Sequence, residues 1–203
     1  MTTTNEAENA TRTRVRAKPM STDERRASII HAVIPLLIEH GRDVSTRQIA
    51  DAAGIAEGTI FRVFPDKEAL FTAAVETFLD PTESNKRLRA IDPELPLEDK
   101  VGDILFLLRS RMTGIFGMMQ AMRMAGPPPR RHNADNFADL IAEVLRPDVE
   151  ELNVPADRVA SFVRLIAFAS AIPQFNQGQE IPTAELARVI TYGIAGHPAE
   201  GQN

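Results

Sequence analysis

Two short apolar-patterned segments joined at a single glycine constrain the fold of this 203-residue chain most strongly. Ser45 and Gln48 have the spacing of a capping box, in which each side chain satisfies a free backbone N–H of the first helical turn. Gly54 follows, and glycine takes a positive φ at a tight turn without a Cβ clash. The next segment, Glu57 to Phe64, has apolar residues at helical spacing. The pattern predicts two short helices that cross at a sharp turn.

The apolar residues of these segments are spaced so that the two helices can pack crosswise. The outer face of the second helix then stays free of the core, which is the geometry by which a helix enters a DNA major groove about 12 Å wide. Asp51 and Glu57 are acidic, so we expect solvated positions or pairs within the chain for them. Ile49, Ala50, Ala53, Ile55 and Ile60 are expected to pack the two helices together, and Phe64 is predicted to join this core.

Longer helices are predicted on both sides of this pair. Ser21 and Glu24 repeat the capping-box spacing, and we expect the helix that they begin to end at Gly41. Asp66 predicts the N-cap of an amphipathic helix from Lys67 to Leu79. Residues 21–79 therefore predict four helices, of which the middle two are short.

The rest of the chain also has helical periodicity. We find no convincing period-two alternation of apolar and polar residues, so the predicted fold class is all-α. A break is expected near Pro147, inside the predicted helical segment from Asn133 to Leu152. One or two helices are predicted over Leu97 to Met124, and single segments over Asn133 to Leu152, Ala156 to about Phe175 and Thr183 to Ala195.

Charge is distributed unevenly along the chain. The formal net charge is −5, but six basic residues fall between Arg12 and Arg26. Phosphate attraction acts within about one Debye length, so a local basic stretch matters more than the net charge. A solvated tail with no partner is the alternative. We predict a disordered basic arm over 1–20, a three-helix helix-turn-helix domain over 21–66, a connecting fourth helix over 67–79, and a larger helical domain over 80–203.

Composition also bears on the compartment. No cysteine is present, so neither a disulfide framework nor a thiolate site is expected. The N-terminal stretch carries charges but lacks the apolar run of a secretory signal. No stretch approaches the roughly 20 apolar residues that span a bilayer. We expect a cytoplasmic protein without a membrane partner.

Three motifs resemble the signature of the TetR family of bacterial transcriptional regulators. They are Ile-Ala-Asp-Ala-Ala-Gly-Ile from Ile49, Glu-Gly-Thr-Ile-Phe-Arg-Val-Phe from Glu57, and Asp-Lys-Glu-Ala-Leu from Asp66. The resemblance covers roughly residues 25–78. It implies a DNA-binding N-terminal domain, a larger ligand-binding and dimerisation domain, and a homodimer that binds a palindromic double-stranded operator. In the family's usual mode the protein is a repressor that a small apolar effector releases from DNA.

The resemblance also implies which residues contact DNA. Thr46 and Arg47 match positions that touch phosphates or base edges, and Lys67 matches one that holds a phosphate at the start of the fourth helix. Two residues depart from the family pattern: Phe61 replaces the usual tyrosine and lacks its hydroxyl, and Ala56 replaces a capping Ser or Thr at a cost of about 1 kcal/mol. The implied set is Thr46, Arg47, Glu57, Gly58, Thr59, Phe61, Arg62 and Lys67.

A methionine-rich segment in the C-terminal half is the candidate effector site. Unbranched, polarisable methionine adapts to irregular shapes and often lines apolar pockets. The alternative is that these residues simply fill a helical core. Arg109, Arg111 and Arg123 would serve an anionic effector, although surface solvation is the simpler interpretation. The predicted pocket residues are Leu105, Leu108, Met112, Phe116, Met119, Met122, Phe137, Phe168 and Phe175.

Two apolar stripes near the C-terminus predict a dimer interface. In the family, two such helices from each subunit form a four-helix bundle, and the twofold axis matches a palindromic operator. Burial inside one subunit is the alternative. The predicted interface residues are Val159, Phe162, Val163, Ile166, Leu186, Val189 and Ile190.

Two other functions compete with regulation by a small molecule. A DNA-binding adaptor without a ligand would have a solid core instead of a cavity between residues 104 and 175. A helical-bundle enzyme is the other rival, but the four histidines are scattered without metal-ligand spacing, and no phosphate loop or nucleophile elbow appears. We therefore expect no catalytic residues, no cofactor and no metal site.

Overall fold

The structure is a computed structural model that describes residues 20–126, 137–172, 175 and 178–195. Over these residues the chain is helical, with no strand, and no helix there has a sufficiently long apolar stretch to cross a membrane. The predicted arm at 1–20 lies outside the described residues except for Met20. The α-helices are α1 Thr22–His40, α2 Thr46–Ala53, α3 Glu57–Val63, α4 Lys67–Leu79, α5 Thr82–Arg89, α6 Leu97–Ala121, α7 Phe137–Val144, α8 Ala156–Ala171 and α9 Thr183–Ala195; Gly41–Asp43 and Arg146–Glu151 are 3₁₀ turns.

The local capping signals act as predicted. Both capping boxes form: Ser21 with Glu24 begins α1, and Ser45 with Gln48 begins α2. At the first box, hydrogen bonds from the Ser21 backbone N–H and hydroxyl lower the pKa of the Glu24 carboxyl. The Asp66 carboxylate accepts from the backbone N–H of Ala69 at 2.7 Å and begins α4. These starts depend on neighbours three residues away, which explains why the sequence predicts them.

One helix was missed and one helix ends earlier than predicted; long-range packing explains the first difference and proline the second. Helix α5 was not predicted because its segment is polar; Leu88, fully buried, attaches it to the core. Helix α8 ends at Ala171 rather than near Phe175. The next residue, Ile172, is extended, as expected for a residue that precedes a proline in the sequence.

The buried apolar residues form two clusters. The N-terminal cluster joins α1 to α4 and includes Ile29, Leu37, Ile49, Ile60 and Phe71. The C-terminal cluster joins α5 to α9 and includes Leu88, Val101, Leu105, Val159 and Ile190. Helix α6 takes part in both: its first half lies in the C-terminal cluster, whereas Met118 and Met122 near its end lie in the N-terminal cluster.

A buried ion pair fixes the second 3₁₀ turn against α6. The ammonium group of Lys100 donates to both carboxylate oxygens of Asp148, at 2.9 and 2.8 Å. The Lys100 side chain is 1% exposed and that of Asp148 is 10% exposed. Because each charge has lost most of its water, each depends on the other for compensation.

Candidate nucleic-acid interface

Helices α2 and α3 pack crosswise around the glycine turn, as the apolar spacing predicts. Gly54 ends α2 in the left-handed conformation, with φ 64° and ψ 34°. The backbone N–H of Ile55 donates back to the carbonyl of Ala50 at 3.0 Å, which closes the turn. Ile49 and Ile60 are fully buried between the helices. The core therefore holds the inner faces of both helices and leaves their outer faces to solvent.

The outer face carries most of the residues predicted to contact DNA. Arg47 at the start of α2 is exposed, and so are Gly58 and Arg62 on α3. Phe61 is 50% exposed, which is unusual for a phenylalanine without a partner. Thr59 is half-buried. The outer faces of the two helices thus carry two cationic side chains and an exposed ring.

Thr46 and Glu57 contact each other across the two helix starts. The Thr46 hydroxyl donates to the Glu57 carboxylate, so the acid is held within the chain, as expected for a residue that should not face phosphates. This bond links the first residue of α2 to the first residue of α3. Both residues therefore have an intrachain role at the edge of the surface.

Lys67 also has an intrachain partner. Its ammonium group donates to the carbonyl of Arg42 at 3.1 Å and lies 5.0 Å from the centre of the Phe71 ring. Arg42 in turn pairs with Glu68 at 2.5 Å. An ammonium group has three donors, so the bond to Arg42 leaves Lys67 further hydrogen-bonding capacity.

Two features of this surface involve residues outside the predicted set. Arg26 on α1 lies over the ring of Phe64, 4.3 Å from its centre, and remains exposed beside the end of α3. In the sequence, only its place in the basic stretch between Arg12 and Arg26 marked Arg26 as a candidate. The predicted weak cap of α3 is present: Ala56 provides no side-chain hydrogen bond at the helix start.

The predicted effector residues do not form one group. Helix α6 runs unbroken, so Leu105 and Met122 lie about 25 Å apart along it. Leu105 and Leu108 are buried in the C-terminal cluster, whereas Met122 is buried in the N-terminal one. A single small pocket lined by all nine residues is therefore excluded. Periodicity places residues on a face of a helix, but it does not show which partner each turn meets.

Part of that set does come together around aromatic rings. Phe116 and Phe168 contact edge to face with ring centres 5.6 Å apart, and Phe175 lies 6.3 Å from Phe168. Met112 and Met119 are half-buried on α6, and so is Phe137 on α7. Phe137 lies 5.8 Å from the guanidinium of Arg111.

The arginines of α6 contact other helices instead of standing free in solvent. Arg111 donates to the carbonyl of Leu79 at 2.7 Å and to the hydroxyl of Ser84 at 3.1 Å. Burial lowers its pKa, and the charge of Asp80 opposes this effect. Arg109 donates to the Thr183 hydroxyl at 2.7 Å and joins α6 to α9.

The predicted dimer residues divide into a buried set and an exposed set. Val159, Val163 and Ile190 are at most 5% exposed in the C-terminal cluster, so intrachain burial is the correct interpretation for these three. Phe162 is 48% exposed and Val189 is 64% exposed. Ile166 and Leu186 are half-buried. The stripes were identified correctly as apolar, but their buried sides face the chain's own core.

Comparison with known proteins agrees with this geometry. Residues 29–74 match the sequence model of the family described as "Bacterial regulatory proteins, tetR family". Residues 29–74 therefore match this family, and the resemblance predicted from the sequence motifs is confirmed. The all-α fold with an N-terminal helix-turn-helix and a larger helical C-terminal part is confirmed as well. No curated protein sequence matches the chain.

Solved structures share the fold at low sequence identity. A TetR transcriptional regulator from Streptomyces coelicolor is 20% identical with a TM-score of 0.55, over 84% of this chain and 98% of its own. A transcriptional regulator from Rhodococcus sp. Rha1 is 19% identical with a TM-score of 0.56, over 85% and 99%. A protein described as the superantigen PfiT is 14% identical with a TM-score of 0.56, over 88% and 100%. These likenesses establish the fold alone.

Proposed function

We propose that this protein is a homodimeric transcriptional repressor that binds a palindromic operator through the outer faces of α2 and α3. The observation that carries the proposal is the exposed surface on which Arg47, Phe61 and Arg62 stand, supported from behind by the N-terminal cluster. A rigid helix pair with a polar outer face that carries two arginines is suited to the major groove. Residues 21–66 form the DNA-binding domain of this proposal, with residues 67–79 as connector and residues 80–203 as the regulatory domain.

The residues of the surface take different roles in the proposed complex. Arg47 and Arg62 contact phosphates or guanine, since a guanidinium suits both. Gly58 allows the DNA backbone close to α3, and the ring of Phe61 makes apolar contact with a thymine methyl or a sugar. Thr46 and Glu57 act mainly by holding the starts of the two helices together. Lys67 contributes a phosphate contact with its remaining donors.

The proposed dimer forms through the exposed apolar side chains of α8 and α9. Phe162 and Leu165 on α8 are 48% and 62% exposed, and Val189 and Tyr192 on α9 are 64% and 66% exposed. Such a patch on a single chain is characteristic of an interaction surface. A twofold axis through it would present two α3 helices to half-sites about one helical turn of DNA apart.

The proposal keeps a small apolar effector, but with a smaller binding site than the nine residues predicted from the sequence. A small apolar ligand would bind beside the contacting rings of Phe116 and Phe168. Leu105 is completely buried and Leu108 nearly so. Around these two residues the core is solid, which favours the alternative of a DNA-binding adaptor without a ligand. Isothermal titration with apolar ligands, comparing the wild type with Phe116→Ala, distinguishes the two.

A gel-shift titration tests the central proposal. The probe is the DNA that flanks the protein's own gene, and random duplex is the competitor. We expect saturable binding that survives the competitor, and a clear loss of affinity for Arg62→Ala, about 1–3 kcal/mol if the residue reads a base. Arg146→Ala, an exposed arginine on the second 3₁₀ turn, is the matched control. Binding that random DNA abolishes would refute an operator in that region, and equal behaviour of the two variants would remove Arg62 from the interface.

A further inference from the structure

The segment that the proposed function places against DNA carries no net positive charge. From Gly41 to Glu68 the sequence has four basic and five acidic residues. Nucleic-acid-binding surfaces usually carry an excess of basic residues, because phosphate attraction supplies most of the affinity that is independent of sequence. The acidic residues of this segment therefore oppose its attraction to the DNA backbone, unless each of them is neutralised within the chain.

The five acids lie at different places in the segment. The Asp66 carboxylate caps the start of α4, and Glu68 forms an ion pair with an arginine of the first 3₁₀ turn. Asp43 and Asp51 are exposed on that turn and on α2. Glu57 is the first residue of α3. The N-terminal residues of a recognition helix contact the base edges, so Glu57 is the acid of this set that stands closest to the DNA in the proposed complex.

The Glu57 carboxylate is tied to a neighbouring helix. The side chain is exposed, and its oxygen Oε1 accepts a hydrogen bond from the Thr46 hydroxyl at the start of α2. The capping box of Ser45 and Gln48 fixes that start. A free glutamate side chain would turn away from an approaching phosphate, whereas this one is held where the two helices begin.

A fixed carboxylate discriminates between the groups that DNA presents to it. It has acceptors only, so phosphate oxygens repel it, and so do the acceptor atoms O6 and N7 of guanine. The exocyclic amine of cytosine is a donor and satisfies it. In water, two unit charges about 4 Å apart interact by an energy equivalent to roughly fivefold in affinity. The carboxylate therefore weakens binding to most DNA, but not to a sequence that places an amine opposite it.

We propose that Glu57 is a specificity-determining residue that acts by exclusion. Its carboxylate weakens binding to DNA of arbitrary sequence, so that tight binding requires matching bases. Thr46 is a positioning residue, because it holds the carboxylate at the start of α3. This inference rests on the proposed DNA-binding function and deepens it, since it concerns how the same surface rejects other sequences.

The affinities of Glu57→Gln for two duplexes test the proposal in the full chain. One probe is a duplex of arbitrary sequence, and the other is the consensus that the wild type selects from a random pool. Glutamine keeps the acceptor for Thr46 but loses the charge. At low salt we expect Glu57→Gln to bind the arbitrary duplex about threefold to tenfold more tightly, with its affinity for the consensus unchanged. The gain should shrink as salt rises, because screening weakens the repulsion.

Two further variants serve as controls. Glu143→Gln removes the same charge from an exposed site on α7, and we expect it to leave both affinities unchanged. Thr46→Val releases the carboxylate without removing it. In that background Glu57→Gln should change the affinity for the arbitrary duplex by less than about twofold. Circular dichroism checks that each variant is folded.

The possible outcomes are distinct. An unchanged affinity of Glu57→Gln for the arbitrary duplex overturns the proposal, and so does an equal gain for Glu143→Gln, which would reflect net charge alone. Weaker binding to the consensus without that gain also overturns it, since Glu57 would then read a base directly. An undiminished effect in the Thr46→Val background overturns the role of Thr46. A pool from which the wild type selects no consensus refutes the proposed operator binding instead, and the arbitrary duplex then still measures the repulsion.

Discussion

The N-terminal and C-terminal clusters of this chain leave different surfaces around them. Among the described residues, three large apolar side chains are exposed around the N-terminal cluster: Met20, Ile38 and Phe61. Around the C-terminal cluster eight are exposed among the described residues, on α6, α8, α9 and two connecting segments. They are Phe106, Val149, Phe162, Leu165, Phe168, Phe175, Val189 and Tyr192.

This difference shows how the two parts reach stability. The N-terminal helices bury their apolar faces against one another and against the end of α6, and they offer a polar outer face that carries Arg47 and Arg62. The C-terminal helices fill a core of their own but keep an apolar face that a single chain leaves in water. Substitutions confined to one part therefore test the two parts separately.

The largest effect is expected inside the C-terminal cluster. Asp148→Ala leaves the ammonium of Lys100 buried without its partner, and we expect a loss of about 3–5 kcal/mol in the free energy of unfolding. Urea denaturation measures it. The double variant Lys100→Met with Asp148→Leu is the control, since an apolar pair of similar volume should recover most of the loss. A single variant as stable as the wild type would show that the ion pair is not needed to hold the second 3₁₀ turn.

The next effect concerns assembly rather than folding. Leu165→Asp places a charge on the exposed apolar face of α8, and we expect monomers in analytical ultracentrifugation at concentrations where the wild type is dimeric. The free energy of unfolding of the monomer should change by only about 0.5 kcal/mol, as for other surface positions. Thr113→Asp adds the same charge at an exposed site on α6. Loss of the dimer in both variants, or in neither, would show that the dimer interface does not lie on this face of α8.

The sequence predicts the N-terminal part better than the C-terminal part, for a physical reason. Ser45 with Gln48, Gly54 and Asp66 act on neighbours a few residues away, so their spacing alone determines where helices start and stop. Leu88 stabilises a helix that its polar neighbours do not suggest, because its contacts come from distant segments. Met122 likewise belongs to the N-terminal cluster only because α6 is long and unbroken.

The sequence also does not show which side of an apolar helix in the C-terminal part faces the chain's own core. Val159 and Phe162 both belong to one apolar stripe in the sequence, yet the first is fully buried and the second is half exposed. A stripe broader than one contact face has two possible partners, and periodicity does not choose between the chain's own core and a second copy. The exposed surface of α2 and α3 was easier to predict, because the motif that forms it is local and ordered.

On the N-terminal surface, Lys67→Ala should have a moderate effect on binding alone. We expect weaker binding to all DNA sequences and a salt-dependence slope reduced by about 1, because one phosphate contact is lost. Fluorescence anisotropy against salt concentration measures the slope. Lys86→Ala removes an exposed lysine from α5 and serves as the matched control. An unchanged slope for Lys67→Ala would mean that this ammonium serves only the carbonyl of Arg42.

The smallest effect is expected where the two parts meet. Arg123 has φ 52°, and the backbone N–H groups of Arg123 and Met124 donate to Gln120 and Met119, the bond pattern of a Schellman C-cap. A left-handed conformation costs a residue with a side chain about 1–2 kcal/mol. Glycine avoids that cost but loses more backbone entropy on folding, by about 0.4–1 kcal/mol. Arg123→Gly should therefore stabilise the chain by about 0.5 kcal/mol net.

Paired urea titrations of the wild type, Arg123→Gly and Arg123→Ala resolve an effect of this size. Alanine loses the same guanidinium but keeps the left-handed strain, so it should be no more stable than the wild type. A gain for alanine equal to that for glycine would trace the effect to the charge instead of the backbone. A gain for glycine alone would mean that the end of α6, where Met122 and Met124 meet the N-terminal cluster, carries backbone strain because that packing holds it in place.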